Sequence, residues 1–346
     1  MDEREIIDGI GALARSNGVS GPVEIEALKR VRGGNSSEIW AFDGSWSENG
    51  AHVTRPLILR SGADNEFSFA GRDMEYRVLK ALERSDVKVP RIYWFDPAGT
   101  HFGRQTMVME RSPGIAERLV MTDRNGLGLD QSARVALGQE IIDLLGRIHA
   151  FEAAPGELDS PTDQAHPAAD RLRAHDQAIE KLELEPMVEL RIASWWLWKN
   201  LPPPPERLTI VHGDYRPANM LVEKGRVTAI LDWEFASVGD PLEDLGWYLT
   251  PYYAKEHLIP GAFSYDDVIA RYEQATGTVV DRAAIRFWGV FAIYKLAYMT
   301  IAALRWMAEG DASRMTSSGL FILKPLLAAI ADATSDKANH SKDGAR

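Results

Sequence analysis

The stretch from Ile210 to Leu249 constrains this chain most, because it sets acidic side chains at the ends of two apolar runs. The first run is followed by Asp214 and the second directly by Asp232, while Asn219 lies five residues after Asp214. Apolar runs bounded by glycine and polar residues predict buried strands. Two buried strands that end in neighbouring loops can aim two carboxylates and one amide at the same point.

Phosphoryl transfer needs the side chains that this stretch supplies. One carboxylate accepts the proton of the attacking hydroxyl, while a second carboxylate and an amide oxygen hold Mg²⁺ against the phosphates. The spacing from Asp214 to Asn219, followed by a strand that ends at Asp232, is typical of this chemistry. We therefore predict that Asp214 is the catalytic proton acceptor and that Asn219 and Asp232 are metal ligands.

The other polar residues of the stretch have more than one interpretation. His212 could act as a base, but its place beside the loop favours packing and hydrogen bonds that fix the loop backbone. Glu234 either supports the metal ion, directly or through water, or has no catalytic role. Asp240, followed by a proline and by Glu243, predicts the capped start of a helix. Asp244 on that helix is expected to brace the catalytic loop.

The first third of the chain is dominated by predicted strands, and two of its features suit a nucleotide. A Gly/Ser-rich turn joins two of these strands, and Gly34, Asn35 and Ser36 are its candidate phosphate contacts. A simple hairpin explains the same turn. Arg60 ends another strand and Glu75 lies on the next predicted helix, the order in which kinases pair a phosphate-binding cation with a glutamate. A solvated surface charge is the alternative for either residue.

The residue pattern changes after Glu110, where a Ser-Pro-Gly run interrupts the strands and long helices begin. Strands in the first third and helices in the rest indicate the α+β class. In a kinase-type fold, the backbone from Met109 to Ser112 is the hinge that meets adenine, which makes Glu110 and Ser112 candidate nucleotide contacts. The predicted division is a β-rich N-terminal lobe at 1–111, a helical C-terminal lobe at 112–334 and a disordered tail at 335–346.

Composition indicates which kinds of partner and which cellular compartment suit this protein. The 346 residues carry a formal net charge of −11, which argues against nucleic acid or an anionic membrane as the main partner. The absence of cysteine excludes disulfides and thiolate metal sites. The N-terminus lacks a signal peptide pattern, and Lys295 interrupts the most apolar segment, Phe287 to Met307, so a buried helix is expected there. We expect a cytoplasmic protein that is a monomer or a homodimer.

The central motifs resemble those of the aminoglycoside phosphotransferase and choline kinase superfamily. They are His212-Gly213-Asp214-Tyr215-x-x-x-Asn219, Ile230-Leu231-Asp232-Trp233-Glu234 and Gly239-Asp240-Pro241. The resemblance implies a bilobal protein-kinase-like fold, ATP and Mg²⁺. Arg60 departs from the usual pattern, because a phosphate-binding lysine is expected there; the branch linked to acyl-CoA dehydrogenases is similar at this strand end.

These features predict ATP-dependent transfer of a phosphate to a hydroxyl of a small molecule that is aminoglycoside-, amino-alcohol- or hydroxyacyl-like. An alternative is a catalytically weak nucleotide-binding protein, because arginine is not equivalent to lysine at Arg60. A metal-dependent hydrolase that uses His212, Asp214 and Asp232 is a further alternative, although a second histidine cluster at ligand spacing is missing from the sequence.

Overall fold

A five-stranded antiparallel sheet forms the first part of the protein. The computed structural model describes residues 3–31, 38–62, 71–310 and 319–343. The strand order is β1-β2-β3-β5-β4, with helix α1 (Glu3–Ser16) before the sheet and helix α2 (Gly71–Leu82) between β3 and β4. The strands are β1 (Glu24–Val31), β2 (Glu38–Glu48), β3 (Ala51–Ser61), β4 (Ile92–Asp96) and β5 (Thr106–Glu110).

Alternating large side chains hold this sheet to α1. Trp40 and Phe42 of β2 lie opposite Leu59 and Leu57 of β3, and all four side chains are buried. Cross-strand pairs of aromatic and aliphatic residues are the stabilising unit of an antiparallel sheet. The buried face of α1, which includes Ile6, Ile10 and Leu13, packs in the same cluster. The sheet therefore has its own apolar core, from which β3 delivers Arg60.

The remaining chain is largely helical, which confirms the predicted α+β class. Its helices are α3 (Gln131–Ala150), α4 (Pro167–Leu182), α5 (Val188–Lys199), α6 (Leu242–Leu249), α7 (Ala254–His257), α8 (Tyr265–Thr276), α9 (Arg282–Ala308) and α10 (Leu323–Asp343). Its strands are β6 (Ile115–Ala116), β7 (Thr209–Val211), β8 (Met220–Glu223), β9 (Arg226–Ile230) and β10 (Ser237–Gly239). β6, β8 and β9 form one small sheet, and β7 pairs with β10.

Helix α9 is the central helix of the second part. It has the length and apolar composition of a membrane span, yet 83% of its most apolar window is buried inside the protein. α9 packs against α4, α5, α6 and α10. A Cβ atom at Gly246 of α6 would lie 2.4 Å from Cβ of Trp288, so the close approach of α6 and α9 requires glycine. This approach brings α9 next to the loop that follows β7.

Two local features shape the helical part of the chain. Helix α4 ends before α5 begins because Pro186, between them, disfavours helix for itself and for the preceding residue. Helix α10 continues to Asp343, within the segment 335–346 for which disorder was predicted. Helix propagation adds one hydrogen bond per residue once packing has fixed the first turns, and buried Leu326 and Ala329 provide that packing.

Candidate active site

Strand β7 leads into a buried loop that carries the predicted catalytic motif. β7 is fully buried and pairs with β10, and His212, Gly213 and Asp214 follow it directly. Gly213 adopts a φ of +82°, and a Cβ atom at this position would lie 2.5 Å from the backbone oxygen of Phe235. Only glycine fits both the dihedral angle and the space. The turn therefore fixes the direction in which Asp214 leaves the strand.

Asp244 of α6 holds the backbone of this loop. Its Oδ2 accepts a hydrogen bond from the His212 N–H at 2.7 Å, and its Oδ1 accepts one from the Gly213 N–H at 2.8 Å. Burial alone would raise the pKa of Asp244, but the hydrogen bond from His149 and the donors at His212 lower it. The predicted bracing role of Asp244 is thus seen in its contacts, and His149 contributes as a hydrogen-bonding residue at the end of α3.

His212 uses both ring nitrogens within the protein. Its Nε2–H donates to the Leu231 carbonyl at 2.9 Å, and its Nδ1 accepts from the Asp214 N–H at 3.2 Å. The ring is completely buried against Trp233. These contacts define a neutral tautomer that joins the loop after β7 to the end of β9. His212 therefore fixes the backbone rather than serving as a base.

Asn219 binds directly to Asp214. Asn219 Nδ2 donates to Oδ2 of Asp214 at 2.7 Å and to the Asp214 carbonyl at 2.9 Å. Both residues are 7% exposed. Because the amide nitrogen is committed to Asp214, the amide oxygen is the atom of Asn219 that could bind a cation.

Arg216 is a residue of the site that the sequence reasoning missed. Its Nε lies 2.9 Å from Oδ1 of Asp214, and its guanidinium stacks over the ring of Tyr253 at 5.4 Å. Burial raises the pKa of Asp214, Arg216 opposes this rise and Asp232 adds to it. A cation two residues after Asp214 was a visible signal, since both residues lie in the same short loop.

Asp232 stands at the end of β9 in a conformation that opens its carboxylate. Its φ of 66° and ψ of 51° lie in the left-handed region, which costs about 1–3 kcal/mol for a residue other than glycine. Aspartate is among the side chains that tolerate this region. The side chain is 43% exposed, whereas Asp214 beside it is buried. An exposed carboxylate in a strained turn is a suitable position for a metal ligand.

Arg60 connects the N-terminal sheet to this turn. It forms an ion pair with Glu75 of α2, and its Nη2 lies 3.1 Å from Glu234 Oε2 and 3.4 Å from Asp232 Oδ1. Burial alone would lower the pKa of Arg60, but Glu75, Asp232 and Glu234 together raise it. The pairing of Arg60 with Glu75 is thus present, and Glu234 contacts Arg60.

The remaining predicted nucleotide contacts are less defined. Gly34, Asn35 and Ser36 lie outside the described residues. The N–H groups of Glu110 and Arg111 donate to Arg91 O and Pro56 O, at 2.8 Å and 3.0 Å. Within the described ranges, the N–H of Ser112 donates to no backbone acceptor.

The start of α6 corrects one local prediction. Asp240 accepts from the Leu242 N–H at 2.8 Å and from Trp288 Nε1 at 3.0 Å, while Pro241 occupies the N-cap position of α6. Glu243 does not close a capping box; its carboxylate instead lies 2.9 Å from Arg171 of α4. An ion pair with a neighbouring helix replaces the local hydrogen bond, because Glu243 faces the protein interior.

The fold and the site define a kinase-like protein, in which a sheet supplies a cation held by a helix glutamate and the second part supplies the acidic loop. The model of the phosphotransferase enzyme family (APH) matches residues 28–288, and the chain belongs to this family. ATP and Mg²⁺ binding are typical of the family. Mouse acyl-CoA dehydrogenase family member 10 is 29% identical over 236 residues, which cover 65% of this chain but only 22% of that protein.

Solved structures show the same fold. A candidate aminoglycoside phosphotransferase from Ralstonia eutropha superposes with a TM-score of 0.70 at 20% identity and covers 95% of this chain and 98% of its own. Choline kinase LicA from Streptococcus pneumoniae gives a TM-score of 0.62 at 16% identity, with 95% and 99% covered. A thermostable aminoglycoside phosphotransferase APH(4)-Ia, in a complex with AMP-PNP and hygromycin B, gives 0.56 at 16% identity, with 89% and 94% covered. At these identities the likeness establishes the fold.

Proposed function

We propose that this protein is an ATP-dependent phosphotransferase that transfers the γ-phosphate to a hydroxyl of a small molecule. The observation that carries the proposal is the hydrogen bond of Asn219 to the buried carboxylate of Asp214, beside the exposed carboxylate of Asp232. The buried group suits proton acceptance and the exposed group suits a cation. Family membership supports phosphoryl transfer as the chemistry.

In this proposal Asp214 orients the acceptor hydroxyl and takes its proton. Burial raises its pKa, which makes the carboxylate a better proton acceptor than an ordinary surface aspartate. Arg216 keeps this carboxylate ionised and fixes its direction through the contact at Oδ1. Arg216 is thus a positioning residue for Asp214.

The donor set fits Mg²⁺. Magnesium in phosphotransfer sites takes one or two carboxylates together with phosphate oxygens and waters, rather than a full protein cage. Asp232 supplies an exposed carboxylate and Asn219 supplies an amide oxygen. Among the described residues, no group of three or more acidic, histidine or cysteine side chains forms a protein-only metal site. When bound, the ion neutralises charge on the β- and γ-phosphates.

Nucleotide binding would involve both parts of the chain. Arg60, held by Glu75 and Glu234, would meet the phosphates, and Gly34, Asn35 and Ser36 would cover them. The backbone at Glu110 and Ser112 would meet the adenine. We propose that residues 1–111 and 112–334 are the two lobes that close on the nucleotide, and that the protein is cytoplasmic.

Arg60 favours a second candidate function, a nucleotide-binding protein with little catalysis. Its guanidinium forms ion pairs with three carboxylates, so a phosphate would have to compete with them for the same cation. Arginine also offers a planar, bidentate contact where lysine offers a point charge. Nucleotide turnover therefore separates the two candidates.

The test is ADP release by the purified chain with ATP, Mg²⁺ and a panel of aminoglycosides, amino alcohols and hydroxyacyl compounds. We expect acceptor-dependent ADP release that Asp214→Asn abolishes, since the amide cannot accept the proton. Asp123→Asn, which makes the same change at an exposed position, is the matched control. Mg²⁺-dependent thermal stabilisation by ATP without ADP release on any acceptor would instead support the nucleotide-binding candidate.

A further inference from the structure

Lys295 is a buried cation on α9 with an unusual environment. Its side chain is 3% exposed, and its Nζ donates a hydrogen bond to the backbone oxygen of Gly213 at 2.6 Å. The rings of Phe235 and Trp247 lie on either side, with centroids 4.7 Å and 5.0 Å from Nζ. An α9 lysine thus contacts the loop that carries Asp214.

The stability of the fold does not account for this lysine. Burying an ammonium group costs free energy unless a carboxylate pairs with it, and an apolar residue of similar volume often serves a core at least as well. In the described part of the chain, the hydrogen bond to Gly213 and the two rings are the partners of Nζ, and no ion pair joins it to a carboxylate. Burial lowers the pKa of Lys295 to about 8, and Glu243 opposes this, so the group is mostly protonated at neutral pH.

The position of the contact matters for the loop. Gly213 has no side chain to restrict its backbone dihedral angles, and its close packing against Phe235 leaves no space for one. The loop therefore needs other contacts to fix its backbone. Its N–H is held by Asp244 at 2.8 Å and its carbonyl by Lys295 at 2.6 Å. That carbonyl belongs to the peptide unit that leads into Asp214. Rotation of this unit would carry the Asp214 N–H away from Nδ1 of His212.

We propose that Lys295 is a positioning residue of the phosphotransfer reaction, which locks the Gly213–Asp214 peptide and thereby aims the Asp214 carboxylate. This inference rests on the proposed function for its effect on turnover. The clamp itself is a property of the loop and can be measured without turnover. Asp244 and Lys295 then form the two halves of one device, a carboxylate on the N–H and a cation on the carbonyl of the same glycine.

The first experiment measures kinetics and stability of Lys295→Met, which keeps the side-chain length and removes the donor. We expect kcat to fall by about 10²-fold, because small displacements of a reacting group have effects of this size. The KM for ATP should stay within about twofold of the parent and the Tm should be unchanged or higher, because the desolvated charge has gone. Lys295→Arg, which retains a cationic donor, should recover part of kcat.

The matched control is Ile293→Val, which removes one buried methyl group two positions earlier on α9, in a core cluster away from the loop. It should lower Tm slightly and leave kcat at the parent value. A Lys295→Met variant that unfolds, or that loses Tm and nucleotide affinity together, would show a structural role and overturn the proposal. If the parent is active and Lys295→Met has the same kcat, the proposal is also overturned.

The second experiment measures amide hydrogen exchange of the peptides that contain residues 212–216. Lys295→Met should raise exchange in this loop and leave α3 and α8 at the parent rates. Ile293→Val should leave exchange in the loop at the parent rate. Equal loop exchange in Lys295→Met and the parent would refute the clamp. A parent that shows no turnover with any acceptor would refute the proposed function, and the exchange result would still decide the role of Lys295.

Discussion

Nε of Arg216 lies 2.9 Å from Oδ1 of Asp214, while Nδ2 of Asn219 lies 2.7 Å from Oδ2 of the same carboxylate. The buried aspartate is therefore held at both oxygens. Arg216 lowers the pKa that burial and Asp232 raise. Arg216 thus favours the ionised form of this carboxylate, and its own charge is stabilised by Asp214 and by the ring of Tyr253.

Removing this cation should move the acidic limb of the activity profile. In Arg216→Gln, the largest influence that opposes burial and Asp232 is lost and weaker ones such as the hydrogen bond from Asn219 remain, so the pKa of Asp214 rises further and more alkaline conditions are needed to ionise it. We expect the acidic limb of kcat/KM to shift to higher pH, as measured by ADP release across pH 5 to 9. Arg124→Gln, an exposed arginine, should leave the profile in place. An acidic limb at the parental pH in Arg216→Gln would contradict this account.

The pair of Arg60 and Glu75 should matter for stability as well as for nucleotide binding. Glu75 is 1% exposed, so Arg60→Met leaves a buried carboxylate without its cation, which costs about 3–5 kcal/mol in the free energy of unfolding. The double variant Arg60→Met/Glu75→Met should recover most of this loss, as urea denaturation would show. The pair of Arg55 and Glu48, whose side chains are 32% and 33% exposed, is the control, and Arg55→Met should cost less than about 1 kcal/mol. Additive single effects would disprove the coupling.

The side chains that meet at the site could largely be predicted from the sequence because they are close along the chain. Asp214, Asn219 and Asp232 lie within one short segment, where strand ends and spacing decide which side chains meet. The bracing role of Asp244 followed from the same segment. Arg216 lies there too and was missed because a surface charge is the usual interpretation of a lone arginine.

Contacts between distant elements could not be predicted in the same way. Lys295 meets Gly213 across 82 positions, and Arg60 meets Glu234 across 174. Such pairs depend on the angle and register at which helices and sheets pack, and hydrophobic periodicity does not contain that information. The close approach of α6 and α9 at Gly246 sets the position of Lys295, and a glycine within a helix gives no indication of its partner.

Gly213 should tolerate no side chain. Gly213→Ala places a methyl group 2.5 Å from a backbone oxygen in a left-handed conformation, so the loop must move and kcat should fall by about 10²-fold. Gly277 at the end of α8 has a similar φ of +71° but open space around its Cα. Gly277→Ala therefore isolates the dihedral strain, about 1–2 kcal/mol of unfolding free energy, and should retain activity. Equal kcat values for the two variants would show that the close approach at Gly213 is unimportant.

Asp240 should make the folded state less stable as its carboxylate ionises. Burial raises its pKa to about 6, against the hydrogen bonds from the Leu242 N–H and Trp288 Nε1, so the folded protein holds a proton that the unfolded chain releases near pH 4. A raised folded-state pKa means that this contribution to stability is complete below pH 4 and is lost as pH rises to 6, with an upper bound of about 3 kcal/mol. Asp240→Asn removes the titration. Urea denaturation at pH 4, 5, 6 and 7 gives the unfolding free energies of parent and variant. The parent should therefore lose stability relative to the variant between pH 4 and 6, and the difference should stay constant above pH 6. A difference that is constant from pH 4 to 7 would show that Asp240 is not the group that holds a proton in the folded protein.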